Sequence, residues 1–191
     1  MEKVLVAGLG NPGDEYAGTR HNIGFRVADE LCRRIKGRFV RGGSEYLFAR
    51  AVVDPVSVVL LKPLTYMNNS GAAIAEVMSR YAVPVEQMIV VVDDFSLPLG
   101  RLRIRGKGSD GGHNGLTSVV HALGTENFAR LRCGIGSDPM PSKSSMRTWV
   151  LSSFEHDEIS EVERMIVRAA DAALEFARAG LASAMNRYNT G

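Results

Sequence analysis

His21 and Asp93 are the two residues of this sequence whose types are best suited to acid–base chemistry. His21 stands in the segment TRHN, and Asp93 directly follows the apolar run Met88–Val92. A carboxylate that accepts a hydrogen bond from one imidazole nitrogen fixes the tautomer of the ring, and it stabilises the imidazolium that forms when the other nitrogen takes a proton. We therefore expect a general base at His21 if the fold brings the two side chains into one cleft.

Three asparagines accompany this pair in loops that follow predicted strands or glycines. Asn11 stands in GNPG, Asn68 in YMNNSG and Asn114 in GGHNG. A carboxamide can donate to a developing oxyanion, accept from a water molecule, or bind a peptide group with both of its edges. The set predicts that water attacks an acyl group and that the amides bind a peptide-like substrate.

The glycine-rich loop also contains a second histidine, His113. The segment reads GSDGGHNG over residues 108–115. Polar side chains in such loops commonly hydrogen-bond to nearby backbone groups. We expect His113 to brace the loop at the edge of the substrate-binding cleft rather than to take the proton itself, and we interpret His121 and His156 as helix or surface residues.

The stretch GLGNPG at residues 8–13 has the glycine spacing of a dinucleotide-binding loop. In such a site the turn opens a helix at once, and a carboxylate about 20 residues further on holds the ribose. Here Pro12 and Gly13 favour a loop, the helical pattern begins only near Ile23, and the region beyond reads RRIKGRFVRGG without an acid. We interpret the stretch as a strand-end loop and expect no nucleotide cofactor.

These candidate residues need a framework, and the alternation of apolar runs with helical periodicity supplies one. The runs typical of strands covered on both faces are Val4–Ala7, Val58–Leu61 and Met88–Val92. Helical spacing of apolar residues covers 23–35, 74–81 and 159–177, the last ending before Gly180. The pattern predicts an α/β fold, a single-domain three-layer α/β/α sandwich spanning residues 1–191, whose central sheet is mixed but mostly parallel.

Two further strands make the predicted sheet mixed. Tyr46–Val53 alternates weakly, whereas Arg101–Arg105 alternates strictly and carries three arginines on one face. That face could be an anion-binding surface or only the solvated face of an edge strand. Segments rich in Gly, Pro and Ser predict long loops at 106–115 and 136–145.

Composition limits the remaining possibilities. The chain has 191 residues, of which 45% are apolar, and its formal net charge is only +2, so it neither demands nor excludes a polyanionic partner. Cys32 and Cys133 have no metal-ligand spacing and form no disulfide framework. The N-terminal apolar run is too short for a signal peptide, and no segment reaches the roughly 18 apolar residues of a membrane span. We expect a soluble, cytoplasmic protein without a metal site.

Taken together, five motifs carry a resemblance that extends over essentially the whole chain. In order they are GLGNPG, TRHNIGF, KPLTYMNNSG, GSDGGHNGL and RLRCGIG. In this order and spacing the sequence resembles the bacterial-type peptidyl-tRNA hydrolases, and five ordered motifs are far more specific than any one of them. The resemblance implies a monomeric α/β domain that hydrolyses the ester between a peptide and the 3′ ribose of tRNA, without metal or cofactor.

The resemblance also implies roles for individual residues of the predicted cleft. His21 would be the general base and Asp93 its orienting partner. Asn68 would stabilise the oxyanion or hold the peptide, Asn11 would bind the peptide near the ester, and Asn114 would position water or the terminal ribose.

Outside this catalytic set, the resemblance implies contacts with the rest of the substrate. Tyr16 and Tyr66 would line the cleft, and Arg105 and Arg132 would bind tRNA phosphate. Ser96 stands where the family commonly has a carboxylate, so we expect the loop after Asp93 to form different hydrogen bonds.

Two alternative hypotheses belong to other classes. Ser70 could be the nucleophile of a covalent esterase, although NNSGA lacks the GxSxG turn that exposes such a serine. The chain could also be an RNA-binding module that keeps the fold without the reaction. The presence of every expected site residue favours the enzyme.

Overall fold

One mixed sheet organises the fold. The computed structural model describes residues 1–43 and 45–189, and within this part of the chain seven strands lie in the order β2-β3-β4-β1-β5-β7-β6. The strands are β1 (Lys3–Gly8), β2 (Val40–Arg41), β3 (Tyr46–Val53), β4 (Val56–Pro63), β5 (Met88–Pro98), β6 (Leu102–Arg105) and β7 (Ala129–Gly136). The central strands β4, β1, β5 and β7 are parallel, and the pairs β2–β3, β3–β4 and β6–β7 are antiparallel. The predicted mixed sheet with a parallel centre is confirmed.

Helices cover both faces of this sheet. On one face lie α1 (Ile23–Arg34) and α5 (Ile159–Tyr188), and on the other lie α2 (Ser70–Tyr81) and α3 (Asn114–Leu123). The short helix α4 (Met146–Val150) follows the loop after β7. The three-layer α/β/α class predicted from the sequence is therefore confirmed. None of the helices in the described ranges has the length and hydropathy that crossing a membrane requires.

The two layers of core follow directly from the apolar runs of the central strands. Val4 and Val6 of β1 belong to the core beneath α1 and α5, whereas Leu5 and Ala7 belong to the core beneath α2 and α3. Successive side chains of a strand point to opposite faces, so a strand that is apolar at every position must be covered on both sides. This is why an uninterrupted apolar run predicts a central strand.

Two elements next to the predicted loops were not singled out by the sequence pattern. In β7, Arg130 and Arg132 interrupt the apolar run, although Leu131 and Cys133 are buried on the other face. Helix α3 begins inside the predicted loop 106–115, and its N-cap is a histidine rather than one of the usual capping residues. In both elements a polar residue obscures the usual sequence pattern: the two arginines interrupt the apolar run of β7, and a histidine occupies the N-cap of α3.

Two predicted boundaries were wrong. The strand expected to end at Val92 continues to Pro98, because Asp93 and Asp94 still pair with β7. Helix α5 does not end before Gly180; it breaks there and then resumes. Gly180 has φ 81° and ψ 178°, a conformation that a residue without Cβ adopts at little cost.

The glycines of GLGNPG serve close packing between β1 and α1. A Cβ placed on Gly8 would lie 2.1 Å from the carbonyl oxygen of Gly24, and a Cβ on Gly24 would lie 2.5 Å from the backbone of Leu9 and from the carbonyl oxygen of Val91. The first turn of α1 therefore lies directly against the end of β1 and against β5 at Val91. This contact fixes the position of His21, which lies two residues before that turn.

Gly24→Ala should destabilise the protein by about 3 kcal/mol, because the added methyl group must push α1 away from two strands. The measurement is the free energy of unfolding from urea titration. Gly18→Ala is the matched control, since the nearest atom to its Cβ, the Ser153 hydroxyl oxygen, would lie 3.7 Å away, and it should change the free energy by less than about 1 kcal/mol. Equal effects of the two substitutions would contradict the packing argument.

Candidate active site

A cleft of about 610 Å³ opens at the carboxyl ends of the parallel strands. Parallel strands end at the same edge of a sheet, and open α/β sheets bind their ligands in the crevice outside this edge. Eight of the residues singled out from the sequence line the cleft: Asn11, Tyr16, His21, Tyr66, Asn68, Asp93, His113 and Asn114. Residues that lie as far apart in the sequence as 11 and 114 are thus adjacent in space.

The side chains of His21 and Asp93 are hydrogen-bonded. The distance between His21 Nδ1 and Asp93 Oδ1 is 2.8 Å, and Asp93 is only 3% exposed. An ionised carboxylate accepts hydrogen bonds only, so Nδ1 carries the proton and donates it to this bond. Nε2 is then the basic nitrogen, and it makes no hydrogen bond with any residue in the described ranges. The imidazole therefore has the tautomer that a general base at the cleft requires.

His113 is hydrogen-bonded to the same carboxylate oxygen of Asp93. Its Nδ1 accepts from the backbone N–H groups of Gly115, at 3.1 Å, and Leu116, at 3.3 Å. Nδ1 is consequently unprotonated, so the Nε2–H of His113 donates to Asp93 Oδ1 at 2.9 Å. His113 caps α3 and orients Asp93, in keeping with the bracing role expected from its loop.

These two imidazoles determine the ionisation of Asp93. Burial by itself would raise the pKa of this carboxyl group, but His113 and His21 hold the pKa well below its ordinary value through their charge interactions and hydrogen bonds. Asp93 is consequently a carboxylate throughout the neutral range. A buried carboxylate with two N–H donors is a stable acceptor, so it can support an imidazolium at His21 without taking the proton.

The cluster of His21, Asp93 and His113 also has the residue types that bind metal ions, and one candidate ligand atom from each residue lies within 4.8 Å of the others. The sequence analysis found no metal-ligand cluster, so this grouping arises from the fold. The ring nitrogens that face Asp93 are already at hydrogen-bonding distance from a single oxygen. An ion bonded at roughly 2.0–2.2 Å would have to replace both hydrogen bonds. The geometry therefore fits the hydrogen-bonded arrangement.

Asn11 joins the loops after β1 and β4. Its Oδ1 accepts from the backbone N–H of Met67 at 2.8 Å, while the Asn22 side chain hydrogen-bonds both backbone groups of Asn11 at 2.9 Å. With Oδ1 occupied, the Nδ2 group of Asn11 remains as the donor at the cleft. Asn22 was not assigned a role from the sequence, although its position next to His21 in TRHN was a signal.

The remaining carboxamides stand at the ends of two helices. Asn68 and Asn114 are exposed, and both also border a neighbouring groove of about 420 Å³ between α2 and α3. Asn69 occupies the N-cap position of α2 without a side-chain hydrogen bond. Ser70 is fully buried, and its hydroxyl donates to the Met67 carbonyl oxygen at 2.9 Å.

Two tyrosines border the cleft near its entrance. Tyr16 and Tyr66 make an edge-to-face contact with 6.5 Å between ring centroids. Tyr66 is 52% exposed and has φ 62°, a conformation that is rare for a bulky residue and is typical of functional sites. The neighbouring Met67 is buried and belongs to the core.

A buried arginine next to the histidine was missed by the sequence analysis. The Arg20 guanidinium pairs with Glu158 at 2.8 Å and lies 4.7 Å and 4.8 Å from the ring centroids of Trp149 and Phe154. Its backbone N–H donates to the Ser152 carbonyl oxygen. These contacts hold the segment that contains α4 against the loop that carries His21, and the only sequence signal was the position of Arg20 inside TRHN.

The arginines of β6 and β7 lie on one face of their ladder. Arg103 and Arg105 are exposed, while Leu102 and Ile104 are buried, as the strict alternation predicts. Arg105 lies opposite Arg130, and Arg103 lies opposite Arg132. Arg105 is therefore free to meet solvent anions from the protein surface.

Arg132 and Arg130 are less accessible than Arg105. The guanidinium of Arg132 donates to the Ser109 carbonyl oxygen at 2.9 Å and lies 3.4 Å from the Asp94 carboxylate. Arg130 is fully buried and is surrounded by backbone carbonyl groups, including those of Gly108 and Phe128. Two arginines therefore hold the glycine-rich loop, and they add positive charge beneath Arg105.

The segment after Asp93 is ordered without the usual carboxylate. The Asp94 side chain accepts from the backbone N–H of Ser96 at 2.8 Å, and Ser96 itself is exposed.

Cys133, which pairs with Asp93 across β5 and β7, is fully buried. Burial, together with the carboxylates of Asp93 and Asp94, raises the pKa of its thiol far above the ordinary range. Cys133 therefore stays protonated and is no nucleophile.

The fold and the contents of the cleft define a class, a hydrolytic enzyme built on a three-layer α/β sandwich. The sequence model of the family described as "Peptidyl-tRNA hydrolase" matches residues 5–191. The chain belongs to the peptidyl-tRNA hydrolase family.

Individual relatives agree with this assignment over nearly their full length. A peptidyl-tRNA hydrolase of Chlorobium chlorochromatii is 47% identical over 186 residues, which cover 97% of each chain. One from a Thermoanaerobacter species is 41% identical over 185 residues, covering 97% of this chain and 98% of the relative. The crystal structure of the peptidyl-tRNA hydrolase from Acinetobacter baumannii superposes with a TM-score of 0.91 at 33% identity, covering 98% of this chain and 94% of that one.

Asp93→Asn should make the stability difference from the wild type depend on pH. Because the folded-state pKa of Asp93 is lowered, its contribution is fully present above the unfolded pKa and is lost as the pH falls. We expect the free energy of unfolding of Asp93→Asn to be about 2 kcal/mol below that of the wild type at neutral pH. This difference should become smaller below about pH 4. Unfolding titrations over this range test the prediction, with the exposed Asp157→Asn as control. A deficit that does not change with pH would contradict the assignment of Asp93 as a buried carboxylate.

Proposed function

We propose that this chain hydrolyses peptidyl-tRNA, cleaving the ester between the peptide and the 3′ ribose of tRNA by attack of an activated water molecule. The observation that carries the proposal is the hydrogen bond of 2.8 Å between His21 Nδ1 and a buried Asp93 carboxylate, at a cleft bordered by three carboxamides, in a chain of this family. The relatives' printed name agrees with this activity.

In this mechanism His21 Nε2 takes a proton as a water oxygen attacks the ester carbonyl carbon. The carbonyl electron pair moves to the oxygen, and a tetrahedral intermediate forms. When it collapses, the bond to the ribose oxygen breaks, and the imidazolium returns its proton to that oxygen. The products are a peptide carboxylic acid and tRNA with a free 3′-terminal hydroxyl group. Asp93 remains ionised and stabilises the imidazolium between the two transfers.

The carboxamides divide the task of binding the acyl group. The Nδ2 group of Asn11 is directed by the Met67 hydrogen bond to act as a donor, which suits a peptide carbonyl oxygen close to the ester. Asn68, at the start of the turn before α2, is placed to stabilise the oxyanion or to hold the peptide. Asn114, at the first turn of α3, is placed to orient water or the terminal ribose. Neutral amides favour an N-acylated substrate over one with a charged amine.

Tyr16, Tyr66 and His113 complete the proposed substrate site. The two tyrosines provide apolar area with polar tips at the entrance of the cleft. His113 acts through Asp93 and through the cap of α3, so we assign it to positioning. The proposed reaction requires no metal ion or cofactor, because the residues of the cleft supply the base and the oxyanion donors.

Arg105 and Arg132 are the proposed contacts to tRNA phosphate. Arg105 is exposed on an edge strand, and the charges of Arg130 and Arg132 lie on the same face of the ladder. Binding of a polyanion to such a face releases counterions, so its affinity falls as the salt concentration rises. This surface would select a tRNA body in addition to the ester.

Ser70 is a weak candidate for a covalent mechanism. It is fully buried, and its hydroxyl donates to the Met67 carbonyl oxygen rather than to His21. A nucleophile must approach its base and the substrate within hydrogen-bonding distance. The geometry therefore favours a water mechanism.

A binding module without the reaction is likewise not favoured. Recognition of RNA would require the basic face formed by Arg103, Arg105, Arg130 and Arg132. It would not require a buried carboxylate that orients a histidine whose Nε2 has no hydrogen-bond partner among the described residues. The assembled His21–Asp93 pair supports a catalytic role.

His21→Ala should lower kcat for an N-acyl-aminoacyl-tRNA by at least about 100-fold, because the transition state loses its base, while binding of tRNA is retained. Release of the N-acyl-amino acid from charged tRNA measures the rate. His121→Ala, an exposed histidine on α3, is the matched control. Ser70→Ala should retain most of the activity, and its loss of nearly all turnover would favour the covalent alternative. A wild-type protein that binds tRNA and releases nothing would favour the binding module.

Arg105→Ala should raise KM for the tRNA substrate and reduce the slope of log KM against log salt concentration by about one. The value of kcat should stay unchanged, because Arg105 lies away from the reacting atoms. Arg41→Ala provides the control, since Arg41 is an exposed arginine on β2 at the opposite edge of the sheet. If the two variants have the same KM and salt slope, the basic face makes no phosphate contact.

A further inference from the structure

Arg105, one of the two arginines proposed to meet phosphate, is carried by a very short edge strand. β6 has four residues, Leu102–Arg105, and is the last strand of the sheet. In an antiparallel ladder, alternate residues direct both backbone groups toward the partner strand or away from it. An edge strand therefore presents backbone groups that no other strand satisfies.

Asn189 occupies this open edge. Its Oδ1 accepts from the backbone N–H of Ile104 at 2.6 Å, and its Nδ2 donates to the Ile104 carbonyl oxygen at 3.0 Å. One carboxamide thus makes the two hydrogen bonds that a further strand would make. Ile104 lies between Arg103 and Arg105, so the contact is made on the outer edge of β6 between its two exposed arginines.

The break in α5 brings Asn189 to this position. At Gly180 the backbone leaves the helical conformation, and the part of α5 after the break leads to Asn189 beside β6. A Cβ on Gly106, the residue after β6, would lie 2.5 Å from the Leu181 side chain. Glu175, before the break, accepts hydrogen bonds from Ser183 and Arg187, after the break. The turn is therefore held from both sides.

Electrostatics explains why β6 needs such support. Arg103 and Arg105 lie directly opposite Arg132 and Arg130, and like charges facing each other across two strands are destabilising. This repulsion opposes the pairing of β6 with β7, and β6 has a hydrogen-bonded strand on only one side. Hydrogen bonds on the outer side of Ile104 keep the strand in register.

We propose that Asn189 is a positioning residue for tRNA recognition: its carboxamide replaces a neighbouring strand at Ile104 and holds Arg103 and Arg105 in the geometry that binds phosphate. The inference rests on the proposed function, because it assumes that this face meets tRNA. Asn189 acts through the strand and not at the ester. Its loss therefore affects the binding of the tRNA body and leaves the chemical step unchanged.

The test compares two substrates on the same preparations of protein. One is an N-acyl-aminoacyl-tRNA, and the other is the same N-acyl-aminoacyl ester on the terminal adenosine alone, which cannot reach the basic face. Asn189→Ala is expected to raise KM for the tRNA substrate by about threefold to tenfold, the effect of a weakened ionic contact, with kcat unchanged. The ratio of kcat/KM for the two substrates cancels any difference in the fraction of folded protein.

Two further measurements accompany the kinetics. Asn186→Ala is the matched control, because Asn186 is an exposed asparagine on the same part of α5, and it should leave the ratio at the wild-type value. Hydrogen exchange at the Ile104 amide should be faster in Asn189→Ala, since that N–H loses its acceptor. The salt dependence of KM should become shallower in Asn189→Ala, as in Arg105→Ala.

The outcomes distinguish a failure of the inference about Asn189 from a failure of the proposed hydrolase function. If Arg105→Ala lowers the substrate ratio and Asn189→Ala does not, the inference is wrong while the phosphate surface stands. An unchanged exchange rate at Ile104 in Asn189→Ala would also overturn it. If neither variant alters the ratio, the phosphate surface fails, and the inference fails with it. If the wild type cleaves neither substrate, the hydrolase function itself is refuted.

Discussion

The buried carboxylate of Asp93 is the interaction on which the rest of the site depends. A charge removed from water is costly unless hydrogen-bond donors replace its hydration. Here the donors are the imidazoles of His21 and His113, at 2.8 Å and 2.9 Å from one carboxylate oxygen. Each comes from a different loop, so the carboxylate holds those loops in fixed positions. The same hydrogen bonds leave Nε2 of His21 as the basic nitrogen. The contacts that stabilise the buried charge therefore also leave this nitrogen able to accept a proton.

The surrounding contacts keep this arrangement rigid. Gly8 and Gly24 allow α1 to approach the end of β1 and the Val91 carbonyl group of β5 closely, so the turn that carries His21, just before α1, has little freedom. The Asn22 side chain binds the backbone of Asn11, and the Asn11 side chain binds the loop after β4. Preorganised donors need no rearrangement when charge develops in a transition state, and this is where they are most effective. The cleft is thus defined by backbone packing as much as by its polar side chains.

The basic face carries its charges in a different way from the buried carboxylate of Asp93, because two of its four arginines are exposed. Four arginines lie on adjacent strands and repel one another. Arg103 and Arg105 are exposed to solvent, which screens their charges. Arg130 and Arg132 donate to backbone carbonyl groups of the glycine-rich loop. The loop that carries His113 and Asn114 is therefore held by the same cations that make the face positive. The cleft and the basic face therefore share a structural element, which fixes the distance between them.

The sequence by itself determined the class of fold and the membership of the cleft. Uninterrupted apolar runs require strands covered on both faces, and five ordered motifs define the family, because both signals are local. Only the tertiary structure decided that His113 shares Asp93 with His21, that Arg20 is buried against Trp149 and Phe154, that β5 extends through Asp93, and that Asn189 completes the edge of β6. These features join residues that are distant in the chain, and no periodicity or spacing encodes which of two distant side chains will meet. They are decided by packing, once the two layers of core have formed.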